Sequence, residues 1–282
     1  MIPDRRSQAG CTFGADAERD PQVLLDAGTH WPPGVRAVMT TRHGGHSSPP
    51  FEQWNLGDHV GDRPQDVAAN RLLLAQRLGV RPVFLRQVHG IGVVELVAGI
   101  EDGLQADACW SAEPGLACTA MVADCLPVLL CAGDGSSVAA AHAGWRGLLG
   151  QDGHSVLEAL CDAWPAARTG RQRAALRAWL GPCIGPRAFE VGAEVMQAYT
   201  AHDPAARAGF QPVAAAPGAK FLADLPWLAR QRLRRLGIEA IEGNDGGPGW
   251  CTVSAGSSFF SHRRDAARLG STGRMAACIW RC

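Results

Sequence analysis

The chain has 282 residues, 46% of them apolar and 19% charged. That is enough apolar material for a sizeable core and too little charge for extended disorder. Lysine plus arginine equals aspartate plus glutamate at 27 each, which speaks against nucleic acid or an anionic membrane as a bulk partner. Residues 1–33 are weakly patterned and read as a flexible N-terminal arm, with a short helix near Val23 to Leu25. Residues 34–282 read as one folded domain. Val35 to Arg42 predicts a strand that enters a glycine-rich loop, H-G-G-H-S-S-P-P. Pro64 to Leu78 predicts a helix, with proline at its start, Gly79 after its last turn, and Val67, Leu74 and Leu78 at helical spacing. Pro82 to Val88 and Val93 to Val97, joined by a turn at Gly90, read as a hairpin.

The centre of the chain is rich in strand-like runs. Ala117 to Cys131 is apolar except around Asp124 and is interrupted by Pro127. Ser137 to His142 is a further apolar run, closed by Gly144. Ser155 to Trp164 predicts a helix stopped by Pro165. Ala175 to Leu180 predicts a strand, Phe189 to Tyr199 and Asp224 to Leu236 predict helices, and Ile238 to Ile241 and Met275 to Trp280 predict strands. The Ala/Pro/Gly stretch at 212–219 reads as a surface loop too short to separate domains. Helices and strands are mixed without strict βαβ alternation, so the fold class expected is α+β in a single domain.

There are ten cysteines. Met1 to Asp20 carries no apolar signal-like run, and no stretch approaches the ~18 apolar residues of a membrane span. A reducing, cytoplasmic setting is therefore expected, with most thiols buried as small hydrophobes. Three segments end an apolar run with a metal-capable side chain: R-Q-V-H-G with His89, A-D-C-L-P with Cys125, and H-A-G-W-R-G with His142. Imidazole nitrogen and thiolate sulfur suit Zn²⁺, and Cu²⁺ competes for the same ligands. Three protein ligands leave a fourth position open, as catalytic zinc requires. The three lie far apart in sequence, so only tertiary structure can unite them. Each taken alone also reads as an ordinary core or surface residue.

These segments occur with T-T-R-H-G-G-H-S-S, N-L-G-D-H-V-G-D (55–62), A-D-A-C-W (106–110), G-P-C-I-G (181–185), F-E-V-G-A-E-V (189–195) and F-F-S-H-R-R-D with T-G-R (259–274). Together and in this order they resemble the laccase-domain family from about Ala37 to the C-terminus. The resemblance implies metal ligation by His89, Cys125 and His142. It implies a layered sandwich of two packed sheets flanked by helices. It also implies purine nucleoside phosphorylase and adenosine deaminase activity, or editing of misincorporated amino acids in peptidoglycan precursors. This chain departs from the family in two places: L-L-G-Q-D-G-H-S after H-A-G-W-R-G adds about one helical turn that would reshape a pocket wall, and His262 stands where the family often has tyrosine.

The substrates expected are a purine nucleoside and phosphate, with no nucleic acid, membrane or obligate protein partner. Asp124 is the candidate acid/base, although strand alternation would aim it away from Cys125. Arg42 and Arg146 are suited to phosphate. Gly44 and Gly45 offer backbone N–H groups to an anion, and Asn55 could read a ribose hydroxyl. Trp145 or Trp110 could stack on a base. Cys125 could instead act as a nucleophile. A fourth protein ligand, Cys251 or His43, would favour a non-enzymatic metal-dependent binding module. Nine histidines with no H-x-H pair argue against multicopper oxidase chemistry.

Overall fold

The computed structural model describes residues 20, 22–28, 30–214 and 219–282. Most of the expected N-terminal arm, and the centre of the Ala/Pro/Gly loop, lie outside these residues. In chain order, β1 (Leu24–Asp26) and β2 (Val35–Thr40) precede α1 (Pro64–Leu78). Then come β3 (Arg81–Val83), β4 (Val93–Glu95), β5 (Ala108–Ser111), β6 (Leu116–Val122), β7 (Leu126–Cys131) and β8 (Val138–Ala143). Helices α2 (Trp145–Leu149), α3 (Val156–Ala163) and α4 (Gly170–Ala175) lead to β9 (Arg177–Leu180), β10 (Glu190–Gly192) and α5 (Ala193–His202). The chain ends through β11 (Phe210–Pro212), β12 (Lys220–Ala223), α6 (Leu225–Arg235), β13 (Ala240–Gly243), α7 (His262–Leu269) and β14 (Met275–Arg281).

Two large sheets stack face to face, one of five strands in the order β1-β2-β14-β6-β3 and one of six in the order β13-β9-β7-β8-β5-β4. A small sheet, β10-β12-β11, accompanies them. The two-residue period of a strand sorts side chains between layers. On β14, Met275, Ala277 and Ile279 fill the space between the large sheets. Ala276, Cys278 and Trp280 face the other way, into a core shared with Leu74 and Leu78 of α1. The outer face of the six-stranded sheet buries Leu126, Val128 and Leu130 against Leu157, Leu160 and Leu228 from α3 and α6. The result is helix, sheet, sheet, helix: the layered α+β sandwich expected. Each fully buried leucine in these layers contributes roughly 1.5–3 kcal/mol relative to exposure.

Local signals account for the helix ends. Pro64 opens α1, and Gly79, in the left-handed region at φ 67°, closes it with its N–H on the Ala75 carbonyl. Ser155 and Glu158 form a reciprocal capping box on α3. Asp224 caps α6 through the Trp227 amide. At the start of α7, the buried Asp265 accepts hydrogen bonds from Arg264 Nε and Nη2 at 2.8 and 2.7 Å. Burial alone would raise the Asp265 carboxyl, but the Arg264 contacts more than offset it and hold the group below the ordinary carboxylate range. A lowered folded pKa means stability present above the unfolded value of ~3.9 and lost as pH falls through the folded value. Asp265→Asn is therefore expected to cost about 1.5–3 kcal/mol at pH 7. The gap between the two proteins in urea melts should start to narrow only as pH falls below ~3.9 and close once pH is below the folded value; a gap independent of pH would contradict this.

Four expectations are corrected. Leu24–Asp26 is a strand paired antiparallel with β2, not a helix; this part of the arm completes a sheet edge. The 82–97 hairpin does not form. β3 pairs in parallel with β6 and β4 with β5, in different sheets, so each strand finds a distant partner. The run 175–180 begins its strand only at Arg177, because α4 extends to Ala175. The 189–199 segment starts as β10, and the helix begins at Ala193. Among the described residues, no helix is long and apolar enough to cross a membrane.

Candidate metal centre and cavity

The sandwich brings His89, Cys125 and His142 together. One ligand atom from each lies within 4.8 Å of the others, and among the described residues this is the one such group of His, Cys, Asp or Glu. His142 lies in β8 on the same side as Val138 and Ala140, which point away from the helical layer. Cys125 lies in the bend between β6 and β7. His89 stands in the loop between β3 and β4, with φ at 61°. Its ring meets that of His142 edge to face, 4.8 Å between centroids. Of the three non-glycine residues with positive φ among the described residues, His89 and Asp124 (φ 89°) belong to this site. Such backbone is held only where surroundings over-determine it.

What over-determines it is Asp107, a residue to which the sequence assigned no role. Its buried carboxylate accepts the backbone N–H groups of Val88, His89 and Gly90 at 3.1, 2.9 and 2.8 Å. It also accepts His142 Nδ1 at 2.8 Å. One side chain thus fixes the loop carrying one ligand and the ring of another. With Nδ1–H directed at Asp107, His142 Nε2 is left as the ligating atom. Burial would raise the Asp107 carboxyl, but His142 and the Gly90 and Val88 amides outweigh burial and keep it below the usual carboxylate range. Gln87 docks the same loop on β6, its amide bonding both Met121 N and O at 2.7 Å.

The thiol of Cys125 differs from the buried cysteines around it. Burial pushes Cys131 and Cys278 up to about 12 and Cys161 to about 11. Burial would raise Cys125 as well, but the facing His142 and His89 rings reverse this and bring it down to about 6. His142 moves the other way, to about 9: burial would lower it, and the Cys125 and Asp107 charges outweigh that. The two shifts run in opposite directions and favour a thiolate beside a protonated imidazole, whose proton an entering cation would replace. All nine described cysteines are free thiols. Gly144, at the start of α2, explains the glycine of H-A-G-W-R-G. A Cβ there would meet Cys125 Sγ at 2.8 Å and His89 Cδ2 at 3.2 Å. Its φ of −62° suits any residue, so Gly144→Ala should fold normally and bind metal more weakly; chelator competition would measure the loss, and unchanged affinity would contradict it.

The cluster opens into a cavity of about 340 Å³. Met121, Ile184, Phe189, Leu225 and Trp145 give it apolar walls, while Arg146, Arg263, Arg274, His59 and His262 supply cationic or polar ones. Arg146 stacks on Trp145 at 4.4 Å. Asp124 lines the cavity beside Cys125, because the chain bends there instead of continuing as a strand. Its oxygens accept from Thr252 Oγ1 and the Arg263 amide, both at 2.6 Å.

The remaining expected site residues lie elsewhere. Arg42 is engaged by the Glu52 and Gly256 carbonyls and sits over Phe260. The Gly44 amide is bonded by Gln53. A Cβ on Gly45 would lie 2.5 Å from Gln53 O, so its role is close backbone packing. Asn55 is buried and reaches the cavity only indirectly, by accepting the Arg274 amide at 2.8 Å. Trp110 belongs to the core and Trp145 to the cavity wall. Cys251 accepts the Gly185 amide and His43 contacts the Ser257 carbonyl, and neither joins the cluster. The added segment after α2 does not wall this cavity: Asp152 and Gly153 line a separate one of about 220 Å³. Tyr199 lines that second cavity, and its Oη donates to the Trp145 carbonyl at 2.8 Å. The second departure, His262, does line the cavity.

Comparison with known proteins agrees with this architecture. The family model described as multi-copper polyphenol oxidoreductase laccase matches residues 36–282. A purine nucleoside phosphorylase of Pseudomonas aeruginosa, PA4543, is 49% identical over 249 residues, covering 88% of this chain and 94% of that protein. Purine nucleoside phosphorylase YfiH of Escherichia coli K12 is 47% identical over 251 residues, 88% of this chain and 95% of its own. Among solved structures, Neisseria meningitidis protein NMB0706 superposes with a TM-score of 0.81 at 40% identity, covering 92% of this chain and 98% of the other.

Proposed function

Because the chain belongs to the multi-copper polyphenol oxidoreductase laccase family, we propose that it is a zinc-dependent purine nucleoside phosphorylase acting in the cytoplasm, with residues 34–282 as its catalytic unit. The observation that carries this reading is the His89–Cys125–His142 cluster in the wall of a cavity that is both apolar-walled and cationic. An apolar slot suits a purine, and guanidinium groups suit phosphate. The names of relatives at 49% and 47% identity point the same way. Adenosine, inosine, guanosine and methylthioadenosine are the proposed substrates, with adenosine deamination as a second activity.

The donor set fits the metal. Two imidazoles and a thiolate of lowered pKa suit zinc, and Asp107 gives His142 the carboxylate support typical of such ligands. When bound, the metal supplies Lewis-acid polarisation of an atom in the open cavity. The protein's own groups do the rest. Trp145 and Phe189 offer aromatic walls to the base. Arg146, stacked on Trp145, adds a cation to that wall. Phosphorolysis breaks the bond from C1′ to the purine nitrogen and forms one from C1′ to a phosphate oxygen. The bonding pair leaves on the purine, which takes up a proton. Asp124, with its oxygens engaged by Thr252 and Arg263, positions the start of α7 and is a poorer proton carrier than its sequence neighbourhood suggests.

A second reading keeps the cavity and changes the substrate to an amide in a peptidoglycan precursor; the same cations favour its carboxylates. Multicopper oxidation needs several metal sites, and among the described residues one such group is present. A fourth protein ligand would favour a binding module, and neither Cys251 nor His43 joins the cluster. The test is product analysis with adenosine and inosine, each with and without phosphate. Hypoxanthine from inosine only with phosphate supports phosphorolysis. Inosine from adenosine without phosphate supports deamination. Turnover of neither would remove the nucleoside reading.

A further inference from the structure

The cavity holds three guanidinium groups, and they are not equivalent. Arg146 is exposed and stacked on Trp145. Arg263 directs Nη1 and Nη2 at the Ala188 and Glu190 carbonyls. Arg274 is half-buried, and its Nη1 touches only the nearby Thr272 and Gly273 carbonyls, at 3.0 and 3.2 Å. Its Nε and Nη2 donors have no hydrogen-bond partner, and no carboxylate pairs with it, among the described residues. Burial lowers the Arg274 pKa below its ordinary value, and the nearby Cys125 and Asp124 charges offset this only in part; with no hydrogen-bonded carboxylate, its free donors are left for a ligand.

The N-L-G-D-H-V-G-D motif packs around Arg274 of the T-G-R motif. In N-L-G-D-H, Asn55 accepts the Arg274 amide at 2.8 Å, and Leu56 N donates to the Arg274 carbonyl at 3.0 Å. Gly57 is the residue that leaves room for the Arg274 stem: a Cβ there would lie 2.7 Å from Arg274 Cγ. Asn55 is itself locked by Gly57 and Asp62. The same motif places His59 in the cavity wall. Burial and the Arg274 charge lower the His59 pKa below its ordinary value, and its Nδ1 faces Asp58 Oδ1 at 3.4 Å.

We infer that Arg274, seated by Asn55 and Gly57 and flanked by His59, is the oxyanion subsite of the cavity, and that its ligand is the phosphate co-substrate. The identity of the anion rests on the phosphorolysis reading; the existence of the subsite does not. This explains why a buried asparagine and a glycine that contact no cavity space are built around one arginine. With phosphate at Arg274, Trp145 and Phe189 are left as walls for the base.

The experiment uses zinc-loaded full-length protein. Phosphate binding is measured by calorimetry, and phosphate and inosine KM values by steady-state kinetics, for wild type, Arg274→Gln and Gly57→Ala. Zinc content shows that each variant is intact. Loss of a charge-assisted, bidentate-capable contact should raise the phosphate Kd and KM at least about tenfold in R274Q, with the inosine KM changed little. G57A, which displaces the arginine stem without removing the charge, should move the same constants in the same direction. Calorimetric phosphate binding that is lost in R274Q supports the subsite even if inosine is not turned over, which would then count against the phosphorolysis reading alone. Unchanged phosphate constants in both variants, or no phosphate binding by wild type, would overturn the inference. N-acetyl-L-alanine distinguishes a substrate carboxylate from phosphate, and tighter binding of the carboxylate would also overturn the assignment.

Discussion

Cys125→Ala is expected to lose bound zinc and phosphorolysis together. Thiolate is the anionic member of the ligand set, and two imidazoles alone make a weak, incomplete site. Removing several kcal/mol of Lewis-acid stabilisation corresponds to a rate loss on the order of a thousandfold. The fold should survive. Cys125 only partly packs against the inter-sheet core, and its neighbours in β6 and β7 are held by full ladders to β14, β8 and β9. Far-UV circular dichroism and the melting temperature should therefore change little while elemental analysis falls well below one zinc per chain. Cys125→Ser should behave alike, because a hydroxyl keeps its proton where a thiol of pKa about 6 has lost it. A C125A protein that retained zinc and rate would show that the cluster is not the metal site.

Asp107→Asn is expected to have the next largest effect, and of a different kind. The carboxylate serves four donors, three of them amides of the loop that carries His89. An amide has one acceptor oxygen and presents N–H groups to donors that need the other. The loop and the His142 ring should both lose definition. Loss of such supporting contacts typically lowers metal affinity by about 10- to 100-fold. The unmade hydrogen bonds of a buried site should cost a further ~1–3 kcal/mol of stability. Unlike C125A, the variant should regain much of its activity at high free zinc, because all three ligands remain. Cobalt substitution gives an independent readout: wild type should show an intense thiolate-to-metal and tetrahedral d–d spectrum, and D107N a weaker or shifted one. An identical spectrum and an identical chelator titration would remove Asp107 from the site.

Much of the fold was legible because burial on both faces writes long apolar runs into a sequence. β14, β7 and β8 stood out for that reason, and α1 was bounded by its own proline and glycine. What could not be read was pairing. β3 and β4 are short, and nothing local says that one joins β6 and the other β5. β1 looked helical because three residues carry no period, and its strand conformation depends on β2. The metal ligands could be named from their chemistry and motif context, yet only the sheet packing unites them. Asp107 and Arg274 lay inside recognised motifs, but a role in holding other residues leaves no mark on composition or spacing. Asn55 shows the reverse. Its residue type suggested ligand contact, while its position, buried behind Arg274, makes it a support.

The most direct test of the central claim is a zinc titration of chelator-stripped enzyme, with phosphate-dependent hypoxanthine release from inosine as the readout. The rate should be near zero without metal, rise in proportion to added zinc, and level off at about one equivalent per chain. Full activity in the stripped protein, or none at any zinc level, would contradict the account.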